Sequence, residues 1–456
     1  MPQPTELDAL YAFLVAAAVT TLLTPVTMRI ARAVGAIDEP RERGLSERPT
    51  PLLGGLAIFA GTLVAGLIWL PGGYGAGINR QPHLWSGVLL AAGLITLVGA
   101  LDDRFDLPPA VKLVGQVLAA VIVVHFGVAV KAITLPFVGK LAFPNAGITN
   151  AGPVLTVIGI VAMMNVVNFS DGVDGLAAGV CAILAAALAV IAFDLNRAQP
   201  GVLAALTAGA ALGFLIYNFP PASSFMGDCG ANLLGLLMGV ITVEAAVKTT
   251  AVVSFVLPLI LLTMPFLDTT FVVLKRLKYR QPIYRPDSEH FHHRMARIGF
   301  SSRRTIAYLY TWTLMLAGLA LALRFVPYSD HHGHLRTGWT LVMVALALLV
   351  AAASVYLVYV LEILKFRRLD ATRLRRLRPD ASAAEIERDV TRDLETGEMD
   401  VVSTQAPASG NAVFPRVAGD SPWAEPPVAE RQVDQQRVGT EEQRGGAQAP
   451  IATDRG

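Results

Sequence analysis

The chain is 456 residues long, 54% of them apolar and only 16% charged, with a mean hydropathy of +0.52. A soluble domain carries nearer a quarter charged residues, so this composition excludes an ordinary water-soluble enzyme. The net charge of +2 and the two cysteines, Cys181 and Cys229, point neither to nucleic acid nor to a disulfide framework.

Apolar runs of bilayer-crossing length recur along the chain. They predict an all-α, polytopic membrane protein of about eleven transmembrane helices, at about 9–29, 52–70, 84–101, 109–128, 153–168, 176–193, 202–218, 231–246, 251–274, 304–325 and 338–362. No basic segment precedes the first run, so no cleavable signal peptide is expected. Basic residues then orient the bundle. The first connection holds Arg29, Arg32, Arg41, Arg43 and Arg48, and the ninth holds Lys275, Arg276, Lys278, Arg280, Arg285, Arg294, Arg297, Arg303 and Arg304. The segment behind the last span holds Lys365, Arg367, Arg368, Arg373, Arg375, Arg376 and Arg378. The even connections carry few, among them Arg80, Lys131, Lys140, Arg197 and Lys248. Odd connections are therefore expected in the cytoplasm, with the N-terminus outside and the C-terminus inside. Residues 1–378 form the spanning unit; 379–456, rich in Ala, Pro, Gln and charge, are expected to be a disordered cytoplasmic tail.

The polar motifs fall at that same face. GALDDRFDL puts Asp102 and Asp103 at the end of the third span, followed by Lys112 at the start of the fourth. Adjacent carboxylates repel and call for a compensating cation, although one such residue could simply cap a helix. MMNVVNFSDGVDGLAAG, residues 163–179, interrupts an apolar stretch with Asn165, Asn168, Asp171 and Asp174. Carboxylates beside a bilayer core are costly, and acids with amides offer the oxygen donors that Mg²⁺ prefers. Gly172 and Gly175 allow a tight turn there. FMGDCGANLLG sets Asp228 between Gly227 and Gly230, a spacing that suggests backbone pressed against a ligand; a dipole-favoured acid at a helix start is the plainer reading. Cys229 reads as a packing residue. DSEHFHHR gathers Asp287, His290, His292, His293 and Arg294 in one connection, an anion-binding composition rather than a zinc one. His331, His332 and His334 read as solvated.

In this order the blocks resemble the polyprenyl-phosphate N-acetylhexosamine-1-phosphate transferase family, from about Asp38 to Gly299. DSEHFHHR is similar to the Asp-x-x-His-x-His-His-Arg block of its N-acetylglucosamine branch, not to the Pro-x-His-His-His block of the muramoyl-pentapeptide translocases. Two positions depart from the pattern: Arg43-Gly44-Leu45-Ser46 replaces Arg-Lys-x-His, and Ala231 replaces the serine after Gly-Asp-x-Gly. The resemblance implies transfer of N-acetylglucosamine-1-phosphate from a UDP-sugar donor to a polyprenyl phosphate acceptor in the cell membrane, at its cytoplasmic face. It implies Mg²⁺, with Mn²⁺ as substitute, on Asp228 and Asn168; Asp102 and Asp103 as catalytic carboxylates; and Lys112, Asp171 and Asp174 on uridine or diphosphate. His290, His292, His293 and Arg294 would hold phosphate or sugar, membrane lipid would surround the chain, and a homodimer is a candidate assembly. Two rival activities remain open from the residues, pentapeptide transfer and a transporter with midplane acids; the missing internal repeat speaks against the second.

Overall fold

The computed structural model describes residues 4–39, 49–70, 84–135, 139–143, 151–246, 302–327 and 336–359, with Ser382, Glu385 and Arg388. Ten helices occupy these residues. They are α1 (Glu6–Val34), α2 (Gly54–Trp69), α3 (Leu84–Phe105), α4 (Pro109–His125), α5 (Ala151–Ser170), α6 (Leu176–Asp194), α7 (Ala198–Asn218), α8 (Gly227–Ala246), α9 (Ser302–Phe325) and α10 (Thr337–Tyr359). Ten of the predicted spans thus have a helix. The ninth, 251–274, lies outside the described residues, as do the histidine block and nearly all of 379–456.

Eight of the ten are long and apolar enough to cross a bilayer; α2 and α4, of 16 and 17 residues, are shorter. The bundle wears its apolar side chains outward: Leu22, Ile216, Leu341 and Leu348 are each at least 65% exposed. A water-facing surface does not carry such side chains in number, whereas acyl chains solvate them. The molecule is a multi-pass helical membrane protein.

Two hairpins interrupt the helices, which the sequence did not announce. Strand β1 (Ile37–Asp38) pairs antiparallel with β2 (Thr50–Pro51), and β3 (Ala132–Leu135) with β4 (Gly139–Ala142). The first matters for the site. Phe225 N–H donates to Pro51 O, and Gly54 N–H donates back to Phe225 O, both at 3.0 Å. These bonds tie the start of α2 to the segment that leads into α8.

Helix ends follow local chemistry. α1 starts on a capping box, in which Asp8 N–H donates to Thr5 Oγ1 at 3.3 Å and Thr5 N–H to Asp8 Oδ2 at 2.7 Å. It runs to Val34, five residues beyond the expected apolar end, and thereby takes in Arg32. α6, α7 and α8 are buried along most of their length and form the centre; α1 and α10 lie at the edge. α8 packs on α2, α3, α5, α6 and α7. Its approach to α3 is close enough that a Cβ on Gly99 would strike the Cα and N of Cys229. Small residues at crossings let helix backbones touch where lipid supplies no hydrophobic drive.

Candidate active site

The ends of α3, α5 and α8 and the first turn of α4 meet at one end of the bundle. Lys112 is the hub. Its Nζ lies 2.6 Å from Asp102 Oδ2 and 3.3 Å from Asp228 Oδ2. Asn168 Nδ2 donates to the other oxygen, Asp228 Oδ1, at 2.8 Å. Four helices separated in sequence by as many as 126 residues, from Asp102 to Asp228, therefore converge on one carboxylate cluster.

The paired aspartates divide their work. Asp102 is 7% exposed; beside its ion pair, its Oδ1 accepts Leu107 N–H at 2.8 Å and closes the turn before Pro108. Asp102 thus both closes a turn and pairs with a cation. Asp103 turns both oxygens to α8, accepting Asp228 N–H at 2.7 Å and Cys229 N–H at 3.2 Å. A carboxylate on the first free N–H groups of a helix satisfies them and suits the positive end of its dipole. Gly227 makes room for it, since a Cβ there would strike the Asp103 carboxylate, and its φ of +68° favours glycine besides. Gly230 packs on Gly55, whose Cα would lie 2.9 Å from a Cβ at position 230. On the side where a Cβ would stand, the close neighbours of both glycines thus belong to the protein.

The turn after α5 is built separately. Gly175, at φ +77°, ends it as the sequence predicts. Its N–H donates to Asn218 Oδ1 at 2.9 Å, and its carbonyl accepts Tyr310 Oη–H at 2.6 Å. Asp174 Oδ2 accepts Ala222 N–H at 2.9 Å, so this carboxylate anchors the connection between α7 and α8. Burial raises the Asp174 carboxyl above the usual range, opposed by that hydrogen bond. Burial raises the Asp171 carboxyl further, and the charges of Asp228, Asp103 and Asp174 push the same way.

Three carboxylates and one ammonium leave the cluster of Asp102, Asp103, Asp228 and Lys112 short of positive charge. Among the described residues no set of three His, Cys, Asp or Glu side chains is grouped to hold a metal ion. Mg²⁺ commonly takes only one or two protein carboxylates and completes its shell with phosphate and water. The Asp228 carboxylate with the Asn168 carboxamide is an oxygen set of that kind, so the residues fit such an ion.

Sequence reasoning missed four side chains here. Gln116 and Asn232 lie in the apolar interior of α4 and α8, and Asn218 and Tyr310 hold the turn at Gly175. The first two carried a signal: each stands four residues beyond a site residue, Lys112 or Asp228, and so on the same helix face. Cys229 is fully buried and its Sγ–H donates to Met226 O at 3.1 Å, in keeping with a packing role.

The family model described as glycosyl transferase family 4 matches residues 85–246, the stretch that supplies every residue of this cluster. A probable undecaprenyl-phosphate N-acetylglucosaminyl 1-phosphate transferase of Bacillus subtilis is 34% identical over 319 residues, 69% of this chain and 84% of that one. The chain belongs to glycosyl transferase family 4. Other family 4 relatives agree in extent. A decaprenyl-phosphate N-acetylglucosaminephosphotransferase of Mycolicibacterium smegmatis is 34% identical over 345 residues, covering 69% of this chain and 82% of its own. An undecaprenyl-phosphate alpha-N-acetylglucosaminyl 1-phosphate transferase of Escherichia coli is 27% identical over 339 residues, covering 71% and 85%.

Proposed function

We propose that this chain transfers N-acetylglucosamine-1-phosphate from UDP-N-acetylglucosamine to a polyprenyl phosphate and releases UMP, as a first membrane step in surface polysaccharide synthesis. The observation that carries the reading is the Lys112–Asp102–Asp228–Asn168 cluster, set at a helix-end face inside the family-matched segment. The names of the relatives select the sugar and the class of acceptor.

An oxygen of the lipid phosphate attacks the β-phosphorus of the donor. The bond from that oxygen to phosphorus forms, and the bond from phosphorus to the bridging oxygen breaks, which releases UMP. Asp102 receives or directs the acceptor's proton, with Lys112 beside it to balance charge along the phosphates. Asp103 holds the first turn of α8 and so fixes where Asp228 stands. Asp228 and Asn168 would hold Mg²⁺, which when bound neutralises the diphosphate and eases departure of UMP. His290, His292, His293 and Arg294 would grip phosphate or sugar from the ninth connection. The site faces the cytoplasm of the plasma membrane in this reading, so a soluble donor meets a lipid acceptor without crossing the bilayer.

Donor choice tests it. Membranes containing the chain are supplied with radiolabelled UDP-N-acetylglucosamine or UDP-N-acetylmuramoyl-pentapeptide. Lipid-linked product from the first donor only is expected; product from the second only would assign the translocase activity instead.

A further inference from the structure

One turn deeper into the bundle than the charged cluster lies a row of three carboxamides. Asn165 Nδ2 donates to Gln116 Oε1 at 2.8 Å, and Gln116 Nε2 donates to Asn232 Oδ1 at 2.8 Å. Asn232 Nδ2 in turn donates to the Asp228 carbonyl at 2.9 Å. Gln116 and Asn232 are each 5% exposed. Every rung sits on a helix that carries a site residue: Asn165 three residues before Asn168 on α5, Gln116 four after Lys112 on α4, Asn232 four after Asp228 on α8. Buried side-chain amides cost free energy unless paired, and here each finds its pair on the neighbouring helix.

We infer that Gln116, with Asn165 and Asn232, is a positioning residue: the three amides form a crossbar that fixes the spacing of α4, α5 and α8 and so seats Lys112 against Asp228 and Asn168. The chain of bonds is directional, from Asn165 through Gln116 and Asn232 into the backbone of Asp228 itself. Asn165 also donates to Val161 O at 2.8 Å, so both outer amides keep a bond to their own helix when Gln116 is removed. Only the bonds between helices are lost. A misplacement of about 1 Å in a reacting group costs about a hundredfold in rate. The role rests on the transfer reading above, but the crossbar itself does not.

Gln116→Leu keeps the side-chain volume and removes both rungs. In the purified full-length chain we expect kcat to fall about 10- to 100-fold. The KM for UDP-N-acetylglucosamine should stay within about twofold, since the loss is one of alignment in the transition state. Backbone hydrogen exchange in residues 109–118 and 227–236 should quicken, because their helices lose a mutual restraint. Thr207→Val, which removes a buried hydroxyl bonded within α7 to Leu203 O at 2.7 Å, should keep wild-type kcat. Wild-type kcat and unchanged exchange in well-folded Gln116→Leu would overturn the crossbar, as would a fall of the same size in Thr207→Val. Should Gln116→Leu not accumulate in membranes, Asn232→Leu takes its place: slower kcat with quickened exchange is again expected, and wild-type values of both would again overturn the crossbar. A wild-type protein that makes no lipid-linked product, while exchange still quickens in the variant, would remove the transfer reading and leave the crossbar standing.

Discussion

Asp102 and Asp103 are neighbours in sequence and differ in what they hold. Asp103 binds two backbone N–H groups of α8, whereas Asp102 shares Lys112 with Asp228. Replacing Asp103 by Ala removes a helix cap, and its cost in thermal stability should be about 1–2 kcal/mol. Asp102→Asn keeps the acceptor for Leu107 N–H and should leave the melting temperature nearly unchanged while transfer falls by about 10²-fold or more. Thermal melts and initial rates on both variants separate the two roles; the reverse pattern would exchange them. Asp174 offers a test in pH. Its folded carboxyl titrates above the unfolded value, so its protonated form stabilises the fold below about pH 4. That contribution is lost as pH rises through the raised folded value. Asp174→Asn still accepts Ala222 N–H and has no charge to bury. Relative to the wild type, its melting temperature should therefore climb as pH rises from about 4 through the raised folded value; parallel curves would contradict the assignment.

At the scale of elements, the contact that matters most is α3 against α8. Gly99→Val would drive a branched side chain into the backbone of Cys229, and overpacking of this kind costs about 1–3 kcal/mol. We expect a lower melting temperature and near-complete loss of transfer, since α8 carries Asp228; normal activity would mean that the two helices have slack. Much of this level was legible in the sequence. Ten helices lie where hydropathy put them, and Asn168, Asp102, Lys112 and Asp228 come together as the motifs implied. What periodicity cannot show is which partner a polar group takes. Asp174 holds Ala222 N–H across the turn, and the glycines around Asp228 accommodate Asp103 and Gly55. Gln116 and Asn232 passed as isolated polar residues because their meaning lies in pairing across helices. The two hairpins carry no apolar alternation long enough to announce a strand.

For the whole molecule, every described cluster residue stands at one end of the bundle, while the Arg197–Glu244 pair, 3.8 Å apart, ties the opposite ends of α7 and α8. Sidedness can be tested with single cysteines in a Cys181- and Cys229-free chain, at Gly75 in the second connection and Ser288 in the ninth. An impermeant thiol reagent on intact cells should label Gly75→Cys and spare Ser288→Cys; labelling of the second would set the histidine block outside. In the proposed transfer the cluster around Asp228 breaks a diphosphate and hands the sugar phosphate to a lipid. Purified protein in liposomes with polyprenyl phosphate and doubly labelled UDP-N-acetylglucosamine gives the decisive readout. UMP and lipid-linked sugar should appear in equal amounts in the presence of Mg²⁺, and Asp228→Asn, still inserted in the membrane, should lose at least about 10³-fold of that rate. Uptake of intact UDP-sugar without UMP release, or near-normal turnover in Asp228→Asn, would contradict it.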